Sequence, residues 1–158
     1  MDYVSVFSRQ ESGPGMDKGE YLVLPEWGGQ EWRKLFAATT SRPFKAGEFV
    51  IQHGIEDRSV FFVAAGSLEI GVTYLDGVSI NLLAKIGPGS VVGEQSFFDG
   101  RPRSANVWAI TDGELLCLTQ EKFRELADTE PKLVCGLLLA LSRILSLRLR
   151  YTTFRVRN

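Results

Sequence analysis

The chain has one histidine, His53, and two cysteines, Cys117 and Cys135, among 158 residues. That supply is too small for the usual zinc sites, which take three or four Cys and His ligands, or for a disulfide-stapled scaffold. Both cysteines sit among leucines, so they read as two buried free thiols rather than as a bridge. His53 stands beside Gly54 in a turn context, and no Ser/His/Asp or Cys/His pairing is credible around it. Its solitude also excludes metal sites that gather several histidines. No stretch approaches the ~20 apolar residues of a membrane span. Residues 1–20 are mostly polar and small, with no apolar signal region. The net charge of −1 supplies no bulk field toward nucleic acid or anionic membrane. These absences leave a soluble, cytoplasmic, non-enzymatic protein without metal or cofactor as the expectation.

What is present is ordinary globular material, 44% hydrophobic and 23% charged, in a length that suits one domain with modest extensions. Residues 1–20 contain Gly13-Pro14-Gly15 and read as a flexible N-terminal arm; residues 21–158 form the domain. Tyr21 to Leu24 is a short apolar strand or turn. Gln30 to Ala38 places apolar residues at 32, 35, 36 and 38, the spacing of a short amphipathic helix.

From about 40 to 119 the period changes. Apolar runs at Phe49–Gln52, Ser59–Ala64, Ser67–Tyr74, Ile80–Ile86, Ser104–Ile110 and Glu114–Leu118 are separated by His53-Gly54, Ala65-Gly66, Asp76-Gly77, Gly87-Pro88-Gly89 and Asp112-Gly113. Short strands at this spacing with turn signals between them predict a β-sandwich or barrel. Thr119 then reads as an N-cap. One helix follows over Lys122–Asp128, and a second after Pro131, since proline suits a first turn. Leu133 to Tyr151 is apolar nearly all round, which predicts burial on two sides, against the barrel and against a partner.

The segment Gly93-Glu94-Gln95-Ser96-Phe97-Phe98-Asp99-Gly100-Arg101-Pro102-Arg103-Ser104-Ala105 carries the chemistry. A cation, small residues and backbone N–H groups in one tight segment capture a phosphate. The carboxylate of Glu94 repels a phosphate, so it needs another part of the ligand, for which a sugar hydroxyl is the obvious donor. Alone, Arg103 reads as a surface arginine and Glu94 as a helix-start carboxylate; their spacing together points to a site. Glu56, Asp57 and Arg58 read as a solvated turn, and Trp108 as strand packing, with stacking on a purine as the sharper alternative.

This order resembles the cyclic nucleotide-binding domain family over about residues 30 to 150. The most specific match is its phosphate-binding cassette, at Gly93, Glu94, Pro102, Arg103, Ser104 and Ala105, supported by Phe44-Lys-Ala-Gly-Glu48, His53-Gly54 and Gly66-Ser67. The resemblance implies an antiparallel jelly-roll β-roll, mainly β, with a short N-terminal helix and C-terminal helices. It implies a ligand site at Val92, Gly93, Glu94, Gln95, Ser96, Arg103, Ser104 and Ala105. Arg103 would take the cyclic phosphate, helped by the N–H groups of Ser104 and Ala105, and Glu94 the ribose 2′-OH. The expected ligand is cAMP, with cGMP open because Ser104 does not settle the base. The expected partners are the nucleotide and, through the C-terminal helix, a second copy or an effector protein. Val92 and Gln95 stand where many members carry Phe and Leu or Ile. Gln95 and Asp99 favour the alternative, a nucleotide-free interaction module. Lys132, Arg143, Arg148, Arg150, Arg155 and Arg157 follow the last acids. They read as helix-end charge and a solvated tail, and no helix-turn-helix follows that would make nucleic acid a partner.

Overall fold

The computed structural model describes residues 1–8, 20–73 and 80–157. Its strands are β1 (Thr40–Phe44), β2 (Phe49–Ile51), β3 (Val60–Ala65), β4 (Leu68–Thr73), β5 (Ile80–Ile86), β6 (Val91–Val92), β7 (Asn106–Ala109) and β8 (Gly113–Leu118). They form two antiparallel four-stranded sheets, in the orders β1-β8-β3-β6 and β2-β7-β4-β5. The helices are α1 (Tyr3–Ser8), α2 (Gly29–Ala37), α3 (Glu94–Asp99), α4 (Gln120–Thr129) and α5 (Pro131–Arg157). This is the β-roll with flanking helices that the family resemblance implies, within the sandwich-or-barrel class that the glycine-punctuated strands predict.

The central strand β3 explains the packing. Its run Val60-Phe61-Phe62-Val63-Ala64 is buried throughout, as a strand covered on both faces must be. Val60, Phe62 and Ala64 meet the helices, beside Trp32, Leu35, Leu116, Leu118, Leu137, Leu141 and Ile144. Phe61 and Val63 face the other sheet, against Val50, Ile51, Leu68, Ile86 and Val107. Two cores thus share one strand.

Several expectations change. Residues 3–8 are helical rather than part of an arm. Phe7 is buried against Phe36 and Trp32, at centroid distances of 5.1 and 5.8 Å, and the Tyr3 hydroxyl donates to the Glu114 carboxylate at 2.8 Å. Tyr3, Val4, Val6 and Phe7 supply an apolar face that the polar average of residues 1–20 conceals. Residues 9–19, with Gly13-Pro14-Gly15, and the turn at Asp76-Gly77 lie outside the described residues. Tyr21–Leu24 is a strap joined by one bridge, Tyr21 to Ser90. β1 carries Pro43 and little apolar sequence, so it escaped the strand pattern; it is an edge strand, where proline is tolerated.

Thr119 caps α4, accepting from the Lys122 N–H at 3.2 Å, and Pro131 opens α5. α5 runs about 40 Å at 1.5 Å per residue. Leu133, Leu137, Leu141 and Ile144 are buried on the roll, whereas Leu139 and Leu149 are 69% and 67% exposed. The side expected against the barrel is buried there, and the side expected against a partner is exposed in the single chain. The cysteines depart from the buried pair expected: Cys135 is exposed and Cys117 half-buried, both as free thiols. Burial pushes the Cys117 thiol up from its ordinary value. Among the described residues no helix is long and apolar enough to cross a membrane, and no cluster of His, Cys, Asp and Glu could hold a metal ion.

Candidate functional site

The site begins where β6 ends. Gly93 has φ +83°, in the left-handed region that disfavours side chains, and turns the chain into α3. A Cβ there would lie 2.7 Å from Arg103 Nη1 and 3.0 Å from the Ser59 carbonyl oxygen. Glycine is thus required by both conformation and contact. α3 ends at Gly100, also left-handed, and its last carbonyls have dedicated donors. Arg58 donates to Ser96 and Phe97 oxygens at 3.4 and 3.3 Å, and Gln120 Nε2 donates to Phe97 O at 2.9 Å. These bonds satisfy groups a helix end leaves open.

Arg103 is 4% exposed. Its Nη1 donates to Gly93 O at 2.8 Å and its Nη2 to Ser59 O at 2.7 Å. Nη2 also lies 3.2 Å from Asp57 Oδ2, and the guanidinium carbon sits 5.6 Å above the Phe61 ring. The Glu56-Asp57-Arg58 turn is solvated as expected, but two of its charges are also put to use: Asp57 pairs with Arg103 and Arg58 clamps α3. Burial works to raise the Asp57 carboxyl, but hydrogen bonds at Ser59 and the Arg103 charge outweigh it and hold it below the usual range.

Glu94 is 5% exposed and also has a partner. Arg148 reaches down from α5 and places Nη1 at 2.6 Å from Glu94 Oε1. Its Nη2 donates to Val91 O at 2.8 Å, and its Nε lies 3.5 Å from Glu20 Oε1. Both ion pairs are close but off the hydrogen-bond axis, so Nε and Nη1 are buried donors without an aligned acceptor. Ser104 Oγ donates to Gln95 Oε1.

These groups line one pocket. Gly93, Glu94, Gln95, Ser96, Arg103, Ser104 and Ala105 form its floor, and Ile51, Ile70, Leu83, Ala84 and Val107 its apolar wall. Glu20, Arg148, Tyr151 and Thr152 close over it. Counting the solvent-filled space at its open mouth, the pocket spans about 720 Å³. Seven of the eight residues expected from sequence come together here. Val92 does not: strand alternation turns it fully into the core between the sheets. Trp108 also lies elsewhere, paired with exposed Phe49 at 6.2 Å, and the aromatic at the pocket is Tyr151. Arg148, Tyr151 and Thr152 escaped the sequence reading because they sit in a run that looked like a solvated basic tail. Their i, i+3, i+4 spacing, which places them on one helix face, was the available signal.

Residues 41–130, more than half of the chain, match the family model described as Cyclic nucleotide-binding domain. The chain belongs to the cyclic nucleotide-binding domain family. It is 33% identical over 102 residues to the Cyclic AMP receptor protein of Thermus thermophilus, covering 65% of this chain and 47% of that protein. It is 32% identical over 131 residues to Glutaminase 2 of Bradyrhizobium diazoefficiens, covering 83% of this chain and 20% of that enzyme. The chain thus spans between a fifth and a half of these curated relatives. The crystal structure of the Thermus thermophilus Catabolite Activator Protein superposes with a TM-score of 0.73 at 30% identity, covering 84% of this chain and 60% of that one. A cyclic nucleotide-binding domain from Methylobacillus flagellatus shares the fold, with a TM-score of 0.79 at 20% identity and coverage of 98% and 80%. Domains of this family serve generally as sensory and regulatory modules.

Proposed function

We propose that this chain is a sensor that binds a 3′,5′-cyclic nucleotide, cAMP foremost with cGMP as the alternative, and signals through α5. The observation that carries this reading is convergence. One pocket gathers a guanidinium for a phosphate, a carboxylate for a ribose hydroxyl, an apolar wall and a helical roof, from stretches far apart in sequence. Arg103 spends three contacts on Gly93, Ser59 and Asp57 out of five N–H donors, so the fork is oriented yet not exhausted. Ser104 and Ala105 would add their backbone N–H groups, and Glu94 would accept from the 2′-OH. The base would lie against the apolar wall beneath Tyr151 and Thr152. In this reading the nucleotide is a ligand and not a substrate, the chain needs no cofactor, is not an enzyme, and works in the cytoplasm.

Signalling would be a population shift, because a ligand moves an equilibrium only through unequal affinity for the two states. The partner surface we infer is the outer face of α5. Cys135, Leu139, Ser142, Ser146, Leu149, Thr153 and Val156 are all exposed, at alternating spacings of four and three. The spacing is that of a coiled-coil seam, apolar at Cys135, Leu139, Leu149 and Val156 and hydroxylated at Ser142, Ser146 and Thr153, and we read it as a surface for a second copy of this chain.

Calorimetric titration with cAMP and cGMP tests the sensor reading. Micromolar binding corresponds to about −8 kcal/mol, and Arg103→Ala should cost roughly 2–5 kcal/mol, enough to abolish the signal. Heat from neither nucleotide would support a second reading, a nucleotide-free interaction module. That reading has its own observation: Arg103 and Glu94 already hold Asp57 and Arg148 as internal counter-ions.

A further inference from the structure

We infer that Glu20 is a positioning residue that preserves the ribose selectivity of Glu94, an inference that rests on the cyclic-nucleotide reading above. Arg148 is one cation between two carboxylates. Glu94 Oε1 stands 2.6 Å from Nη1, and Glu20 Oε1 stands 3.5 Å from Nε on another edge of the same guanidinium. A guanidinium docks best on a carboxylate as a two-pronged fork that engages both oxygens. Here it does not: Nη1 meets a single oxygen of Glu94, off the hydrogen-bond axis, while Nε is drawn toward Glu20 and Nη2 is tied to Val91 O. Among the described residues the second oxygen of Glu94 takes no ion pair or hydrogen bond, so it is available to accept a ribose hydroxyl. Without the pull of Glu20, Arg148 can turn both prongs onto Glu94 and occupy the acceptor that reads the sugar.

The position of Glu20 is built and not incidental. Ser90 Oγ donates to the Glu20 carbonyl oxygen, Leu22 N–H donates to Gly89 O at 2.9 Å, and Leu22 and Leu24 are buried behind it. Glu20 also lines the pocket itself. Both Glu20 and Arg148 lie outside the residues 41–130 that match the family, so this control of the site belongs to the strap and α5 of this chain.

The test compares Kd for cAMP and 2′-deoxy-cAMP in the wild-type chain, Glu20→Gln, Arg148→Gln and the double variant, with thermal melting to confirm folding and Glu20→Ala as a second substitution. Glu20→Gln and Glu20→Ala should both lower the preference for cAMP over its deoxy analogue three- to tenfold. The change should come entirely from weaker cAMP binding, with the deoxy analogue unaffected. In the Arg148→Gln background Glu20→Gln should leave the preference where it was. Equal weakening of both nucleotides, an unmoved preference, or a shift that persists without Arg148 would each overturn the inference while leaving the sensor reading intact. Failure of the wild-type chain to bind either nucleotide would overturn both.

Discussion

Replacing Arg148 with methionine keeps most of the side-chain length and removes the charge that joins α5 to Glu94 and Glu20. The arginine holds a 2.6 Å ion pair with Glu94, a 3.5 Å pair with Glu20 and a 2.8 Å bond to Val91 O. Its loss strands the buried Glu94 carboxylate. Removing one member of a fully buried pair costs about 3–5 kcal/mol; the open pocket mouth admits water, which brings the cost here to about 2–3 kcal/mol. The lost bond to Val91 adds about 1 kcal/mol, and the methionine stem returns part of the packing. The net expectation is about 3 kcal/mol, or a fall in Tm of roughly 6–12 °C for a chain of this length. Adding Glu94→Gln to the Arg148→Met chain should recover about 2 kcal/mol, because the stranded charge goes with it. Urea denaturation at neutral pH reads both numbers, provided the slope with denaturant is unchanged between variants. A loss below about 1 kcal/mol would refute the reasoning, since that is the worth of a solvent-screened surface pair. A double variant no more stable than Arg148→Met would refute it independently.

Gly93→Ala puts a Cβ at 2.7 Å from Arg103 Nη1 in a left-handed conformation, so it should cost about 2 kcal/mol in backbone strain and weaken nucleotide binding by displacing Arg103; an equal Tm and Kd would contradict the geometry. Asp57 titrates below its ordinary value, so its contribution is complete above the usual Asp pKa of about 3.9 and is lost as the pH falls below it. Asp57→Asn should therefore be less stable at neutral pH and flatten the acid limb of the stability curve, whereas parallel limbs would mean the pair contributes nothing. Mild oxidation should cross-link two chains through Cys135 if α5 pairs in parallel, since the exposed thiol would face its own copy; Leu149→Glu should abolish that product, and a monomer at all concentrations would refute the seam.

The legible parts of this protein are those where a local rule and the tertiary structure agree. Glycine turns at 53–54, 65–66 and 87–89 mark real strand ends, and Thr119 and Pro131 mark real helix starts. Gly93, Glu94, Arg103 and Ser104 could be grouped because they lie within a dozen residues and one pocket wall is continuous in sequence. The roof was harder to read, because Arg148 is a cation among cations on a helix that docks largely on elements distant in sequence. Only its i, i+3, i+4 spacing with Tyr151 and Thr152 marked a shared face, and its meaning comes from Glu94 and Glu20, which lie 54 and 128 positions away. α1 was hidden for a related reason: Tyr3, Val4, Val6 and Phe7 make a helix only because Phe36 and Trp32 receive them.

The site has two cations, Arg103 and Arg148, against three carboxylates, Asp57, Glu94 and Glu20. Its formal charge is −1 before an anionic ligand arrives, so capture cannot rest on a standing positive field and rests on oriented donors. On the cyclic-nucleotide reading the phosphate takes the donors Arg103 has left beside Asp57, and the ribose hydroxyl takes the second oxygen of Glu94 beside Arg148. The first contact acts on a turn beside β3. The second acts on α5, because Arg148 bridges that helix to Glu94 and β6, while Arg155 ties its last turns to Leu82 O at 3.2 Å. Occupancy should thus be read at residues 148–157 and not in the core. Hydrogen exchange measured with and without cAMP should change along that stretch while β3 amides stay fully protected. Arg148→Met should already exchange faster there without ligand, with a smaller response to cAMP. Saturating nucleotide that left the protection of 148–157 untouched would mean that α5 covers the site without reporting on it.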